Sequence, residues 1–189
     1  HLEKLKKYKI DIIAPSHGPV HDSPECIMQS HMEWVSDKVS NTVVLPYVSM
    51  HGSTELMVDY LTESLSNKGI NVERFNLAAT DVGKLAMALV DAATIVAGSP
   101  TVLIGAHPLV VSAVFLTNAL KPKLKFASII GSYGWGGKMV EQITALMSNL
   151  KLEILEPVLV KGKPKDEDYK ALERLAFDIT SKHRENNIT

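Results

Sequence analysis

The sequence predicts an α/β protein built on a doubly wound, five-stranded parallel sheet. Three observations carry that expectation. Short β-rich apolar runs alternate with stretches of helical periodicity. Most of these runs are apolar throughout, the pattern of strands covered on both faces rather than one. Five such units follow one another between residue 41 and the end of the 189-residue chain, the number a compact doubly wound sheet needs. Hydrophobic residues make up 46% and charged residues 22%, a globular balance. The length is one domain of roughly 150 residues with a remainder to explain, enough to bury a core without disulfides.

That remainder is at the start. Lys4, Lys6, Lys7 and Lys9 among Leu2, Leu5 and Tyr8 read as the end of an amphipathic helix. Residues 10–14 form a short apolar run, expected as one strand, which Pro15, Ser16, His17, Gly18 and Pro19 turn. Asp22 or Ser23 then caps a helix opening at Pro24, with Met28, His31, Met32 and Val35 at helical spacing. A strand, a turn and a helix without partner strands read as the tail of another domain. The chain also opens on His1, not methionine, and is expected to be a piece of something longer.

From Asn41 the rhythm is regular. Residues 43–48 are the first strand. The next helix sets Leu56, Tyr60, Leu61 and Leu65 on one face and stops at Lys68 and Gly69. Residues 70–75 are the second strand, 82–90 a helix, and 94–97 the third strand. Residues 108–120 are helical, 126–130 the fourth strand, 137–150 a helix, 152–160 the fifth strand and 166–183 the closing helix. Residues 184–189 are polar and expected to fray.

Several function classes fall away. Twenty Lys and Arg against 21 Asp and Glu leave a net charge of −1, without the basic footprint of a nucleic-acid binder. The longest apolar stretch, 109–116, is broken by Ser112, so no membrane span is expected. Cys26 has no partner for an internal disulfide, which fits a reducing cytoplasm, and no basic-then-apolar leader opens the chain.

In an open parallel sheet a ligand lies beyond the carboxyl ends of the strands, where strand order reverses. Three loops reach that edge. The first, Ser49, Met50, His51, Gly52, Ser53 and Thr54, supplies hydroxyls and a helix start that favours an anion, with no lysine or arginine. Ser53 or Thr54 acting only as a helix cap is an equal alternative. The second runs from Gly98 through Ser99, Pro100, Thr101, Val102, Leu103, Ile104, Gly105, Ala106 and His107 to Pro108. Its apolar centre suits one face of a flat ring, or else packs under the next helix or in a subunit interface. The third, Gly131, Ser132, Tyr133, Gly134, Trp135, Gly136 and Gly137, sets two aromatics in permissive backbone, which suits a planar ligand. Together they describe a mononucleotide site. A phospho-receiver domain is excluded, because no carboxylates follow the first or third strand.

In these loops, and in the Pro15-to-Pro19 turn, the chain resembles the flavodiiron proteins, also called A-type flavoproteins. The resemblance implies a flavodoxin-like FMN domain over residues 41–189, preceded in residues 1–40 by the last strand and helix of a metallo-β-lactamase-like diiron domain. The first loop would hold the FMN phosphate, and the second and third would flank the isoalloxazine. Leu103 and Ile104 stand where family members often carry asparagines, which removes side-chain amide contacts to the ring. His17 matches an iron ligand, yet the family's remaining ligand motifs are absent, so the diiron centre belongs only to a full-length parent. Gly18 and Pro19 keep His21 from forming a helical pair with it, and His31 and His107 are read as structural.

By the same resemblance the parent reduces O2 to water or NO to N2O, as a homo-oligomer fed by rubredoxin, a deazaflavin or a nicotinamide donor. This chain alone is expected to transfer electrons, with no catalytic residue of its own. A stand-alone flavodoxin-type carrier and a flavin-free interaction domain are the alternatives.

Overall fold

A computed structural model describes residues 1–188, and the chain divides into two compact units, His1–Lys38 and the remainder from Val39. The first unit holds a single turn of helix, α1 (Leu2–Leu5), and α2 (Pro24–Val35), and buries none of its residues. Pro24 opens α2, where its missing N–H costs nothing. The strand expected at residues 10–14 does not form. Only Ile13 and His21 exchange backbone hydrogen bonds, both 2.9 Å, across the turn. Pro15 and Pro19 lack the N–H groups that would lengthen the ladder.

The second unit contains β1 (Ser40–Tyr47), α3 (Ser53–Asn67), β2 (Asn71–Asn76), α4 (Val82–Ala88), β3 (Ala92–Val102), β4 (Gly105–Ala106), α5 (Pro108–Leu120), β5 (Phe126–Tyr133), α6 (Met139–Leu146), β6 (Glu153–Ile154), β7 (Val158–Lys161) and α7 (Asp166–Glu185). The parallel order is β2-β1-β3-β5, with β6 and β7 both paired to β5 along the far edge. Strand order reverses between β1 and β3, as a doubly wound sheet requires. The expected fifth strand is split because Pro157 offers no N–H to β5. β4 folds back antiparallel on β3.

The apolar strands divide between two cores by simple alternation. In β1, Val43, Leu45 and Tyr47 face one cluster with α3 and α7, while Val44 joins another with α4, α5 and α6. The inward face of α3 is turned from the expected one: Met57, Val58, Leu61 and Leu65 are buried, and Leu56 and Tyr60 only half so. Ser64 of α3 and Lys68 at its C-cap both hydrogen-bond Glu173, tying α3 to α7. The chain beyond α7 is not frayed as far as residue 188. Ile188 is buried and donates its N–H to His183 O at 2.9 Å; Thr189 lies outside the described residues. Among the described residues no helix is long and apolar enough to cross a membrane.

Candidate functional site

The carboxyl ends of β1, β3 and β5 meet at the reversal of strand order. There Met50, His51, Ser53 and Thr54 from the first loop face Pro100, Thr101 and Val102 from β3, and Ser132, Tyr133, Gly134 and Trp135 from the third segment, around a cavity of about 370 Å³. Gly162, just past β7, completes the lining. Sequence reasoning missed it; its signal was the glycine closing the last strand of the sheet, beside β5.

The start of α3 bears on the helix-cap reading of the first loop. Its N-cap is Gly52, at φ 81°, and no side chain caps the helix from that position. Ser49 does the nearest work instead, its Oγ accepting from Glu55 N–H at 3.2 Å. Ser53 is already helical, and Thr54 Oγ1 pairs with Ser132 Oγ at 3.1 Å, buried. Neither hydroxyl caps α3. Both line the cavity beside the helix N-terminus, where the dipole and amides favour negative charge.

The second segment differs from the loop expected after residue 97. β3 runs on through Gly98, Ser99, Pro100 and Thr101, paired to β5 as far as Pro100↔Ser132. Ser99 is buried, its Oγ accepting from His107 N–H and donating to Pro100 O, both at 2.8 Å. Leu103 and Ile104 form the two-residue turn between β3 and β4, at φ 48° and 82°. These are the positive angles of a type I′ hairpin, which Asn-Gly adopts without strain. Neither side chain packs under the next helix: Leu103 is 95% exposed and Ile104 66%. With Gly105 and Gln142 they border a second hollow of about 330 Å³.

Leu103→Asn with Ile104→Gly is therefore expected to stabilise the chain by about 1–3 kcal/mol, read as a higher urea midpoint at unchanged m-value. An unmoved or lower midpoint would mean that this backbone carries no such strain.

The third segment is also partly strand, since β5 continues through Ser132 and Tyr133. Trp135 stands 95% exposed at the cavity mouth. Gly136 and Gly137 do not line the cavity, nor do Ser49, Gly52, Ser99, Leu103, Ile104 and Gly105. The helix expected from Gly137 starts at Met139, because Lys138 N–H bonds Ile104 O at 2.7 Å. Among the described residues no carboxylate, lysine or arginine lines the cavity, so its polar character comes from hydroxyls, backbone and His51. The arrangement can hold a phosphate at the α3 end and a flat apolar ring between β3 and Trp135.

His17 belongs to the first unit and is exposed in a bend. Among the described residues no group of three or more His, Cys, Asp or Glu could hold a metal ion. His107 is structural, its Nδ1 accepting from Leu109 N–H at 3.2 Å at the start of α5.

Comparison with known proteins places this geometry in context. The flavodoxin family model matches residues 45–174. Rubredoxin-oxygen oxidoreductase of Megalodesulfovibrio gigas is 30% identical over 173 residues, covering 89% of this chain and 43% of that protein. Nitric oxide reductase of Moorella thermoacetica is 29% identical over 186 residues, covering 96% of this chain and 47% of that protein. The solved structure of rubredoxin oxygen:oxidoreductase from Desulfovibrio gigas superposes with a TM-score of 0.90 at 27% identity, over 100% of this chain and 48% of the other. The chain thus spans about half the length of the curated relatives it matches.

Proposed function

The chain belongs to the flavodoxin family, as a flavodoxin-like FMN domain of the flavodiiron kind, and from that premise we propose that it is the electron-transfer half of an O2- or NO-reducing oxidoreductase. The observation that supports the site assignment is the meeting of three loops in one cavity that is lined by the first residues of α3 and by an exposed tryptophan. The fit to FMN is chemical. Ser53, Thr54 and the first amides of α3 are neutral donors for the phosphate. Thr101, Val102 and Trp135 offer backbone and apolar area for the ring. When bound, FMN supplies one- and two-electron redox chemistry. The chain's own residues bind, orient and partly shield it.

The reduction of O2 or NO belongs to the parent protein. Residues 1–38, which bury nothing, are read as the edge of a metallo-β-lactamase-like domain, with His17 as a single ligand of a diiron site completed upstream. That pair does not fit this chain alone, since such a site needs several ligands on each ion. Rubredoxin is the favoured donor, because the Megalodesulfovibrio relative is a rubredoxin-oxygen oxidoreductase; a deazaflavin or nicotinamide donor and assembly of the parent as a homo-oligomer belong to the same reading. Cys26, exposed and free, supports a cytoplasmic setting.

The test is a visible absorption spectrum of the purified chain, with any released flavin identified after heat denaturation. The expected result is a flavin spectrum and released FMN, or stoichiometric uptake of added FMN. A colourless chain that takes up none would overturn the reading.

A further inference from the structure

The seven methionines of the chain sit in unlike settings. Met57, Met139 and Met147 are buried in the two cores, and Met28 and Met32 are half-buried in the first unit. Among the described residues only Met50 and Met87 expose more than half of their surface, 54% and 70%. Met87 lies on α4 and lines none of the cavity. Met50 lies in the bend between β1 and α3 and forms part of the cavity wall, in the loop that carries Ser53. One thioether is therefore open both to solvent and to the ligand site, and the other to solvent alone.

We propose that Met50 is an oxidation site whose state controls how well the empty cavity takes up flavin. The proposal rests on the reading that FMN occupies this cavity. The oxidant is hydrogen peroxide. The thioether sulfur attacks one peroxide oxygen, the O–O bond breaks and a sulfur–oxygen bond forms. The sulfur gives up two electrons, and the second peroxide oxygen leaves as water. A flexible apolar side chain becomes a polar one. Its new oxygen is an acceptor in the loop assigned to the phosphate, which is itself an acceptor, and apolar contact with the ligand is lost. Bound FMN covers the sulfur in turn, so a loaded chain is shielded and an empty one is not.

The test treats the flavin-free chain with hydrogen peroxide, with and without added FMN, and stops the reaction with catalase. Peptide mass spectrometry reads the gain of one oxygen at Met50 and at Met87. In the empty chain the two should oxidise at similar rates. FMN at about a hundred times its Kd leaves about one site in a hundred open. Met50 should then slow by about tenfold or more, while Met87 is unchanged. The oxidised chain should bind FMN about three- to tenfold more weakly, the scale of one lost apolar contact. Methionine sulfoxide reductases with a dithiol should restore the affinity.

Met87→Leu should lose affinity on oxidation as the parent does. Met50→Leu, whatever its starting affinity, should lose none on the same treatment, and Met50→Ile serves if that variant does not fold. Loss in the Met50 variant would assign the effect to another residue and overturn the proposal. So would equal oxidation of Met50 with and without bound FMN, or an oxidised parent that binds FMN as before. Each of these leaves the flavin reading standing. An untreated parent that takes up no FMN overturns that reading and the proposal with it.

Discussion

Ser53→Ala combined with Thr54→Ala is expected to weaken FMN by about a hundredfold or more, while riboflavin changes by no more than about threefold. A hydrogen bond to a charged acceptor contributes about 1.5–3 kcal/mol, and each 1.4 kcal/mol is about tenfold in affinity. Two hydroxyls on one phosphate therefore supply at least two decades. Among the described residues no lysine or arginine lines the cavity to take over that charge. Thr54 can donate to the ligand while still accepting from Ser132 Oγ, its partner at 3.1 Å. Riboflavin has no phosphate and should lose only what small rearrangement costs.

Ser49→Ala is the matching control. Ser49 Oγ serves Glu55 N–H at the start of α3 and does not line the cavity. Its removal should lower stability by about 1 kcal/mol and weaken both ligands alike. Fluorescence titration with each flavin reads these outcomes. Equal loss of FMN and riboflavin in the Ser53/Thr54 variant would move the phosphate elsewhere.

The sheet was legible because burial on both faces leaves a signal in each strand. Residues 43–48 are apolar in both alternating sets, one for each core. What the chain conceals is pairing that continues past the apolar residues. β3 and β5 extend together through Ser99↔Gly131 and Pro100↔Ser132, where composition reads as loop, because each edge is satisfied by the other. The Leu103–Ile104 turn was hidden for a different reason. Its residue types argue against positive φ, and only the contacts from Lys138 and Gln142 explain it. Ile188 looked like a frayed end by composition, yet it is buried and its N–H returns to His183 O. The three loops were found because they combine at one edge; Gly162 was missed because a single glycine carries no chemistry by itself.

His183 gives the chain a second measurable property, a loss of stability in mild acid. The residue is 1% exposed and joins three elements: its Nδ1 lies 2.7 Å from Asn41 Oδ1 at the start of β1, and its Nε2 lies 2.7 Å from Thr94 Oγ1 on β3. Asn41 donates Nδ2–H to Gly69 O, which fixes its Oδ1 as the atom facing the ring. Nδ1 therefore carries the proton, and Nε2 accepts from the Thr94 hydroxyl. A second proton on Nε2 would place a positive charge on a ring that is 1% exposed. Burial accordingly lowers the imidazole from 6.5 to about 4.

The unfolded chain thus binds a proton that the folded one refuses between those two values. The His183 contribution is fully present above about pH 6.5 and is lost as pH falls toward 4. The expected loss is about 2 kcal/mol by pH 5 and about 3 kcal/mol below pH 4. The comparison is between the parent chain and His183→Gln, each unfolded in urea from pH 7.5 to 4.5. His183→Gln should start less stable, because it fills the site poorly, and should then change less with pH than the parent. Carboxylate titration acts on both chains and cancels in the difference. Parallel pH profiles would show that His183 protonates as easily in the folded chain as in the unfolded one, so that burial does not disfavour the charged ring.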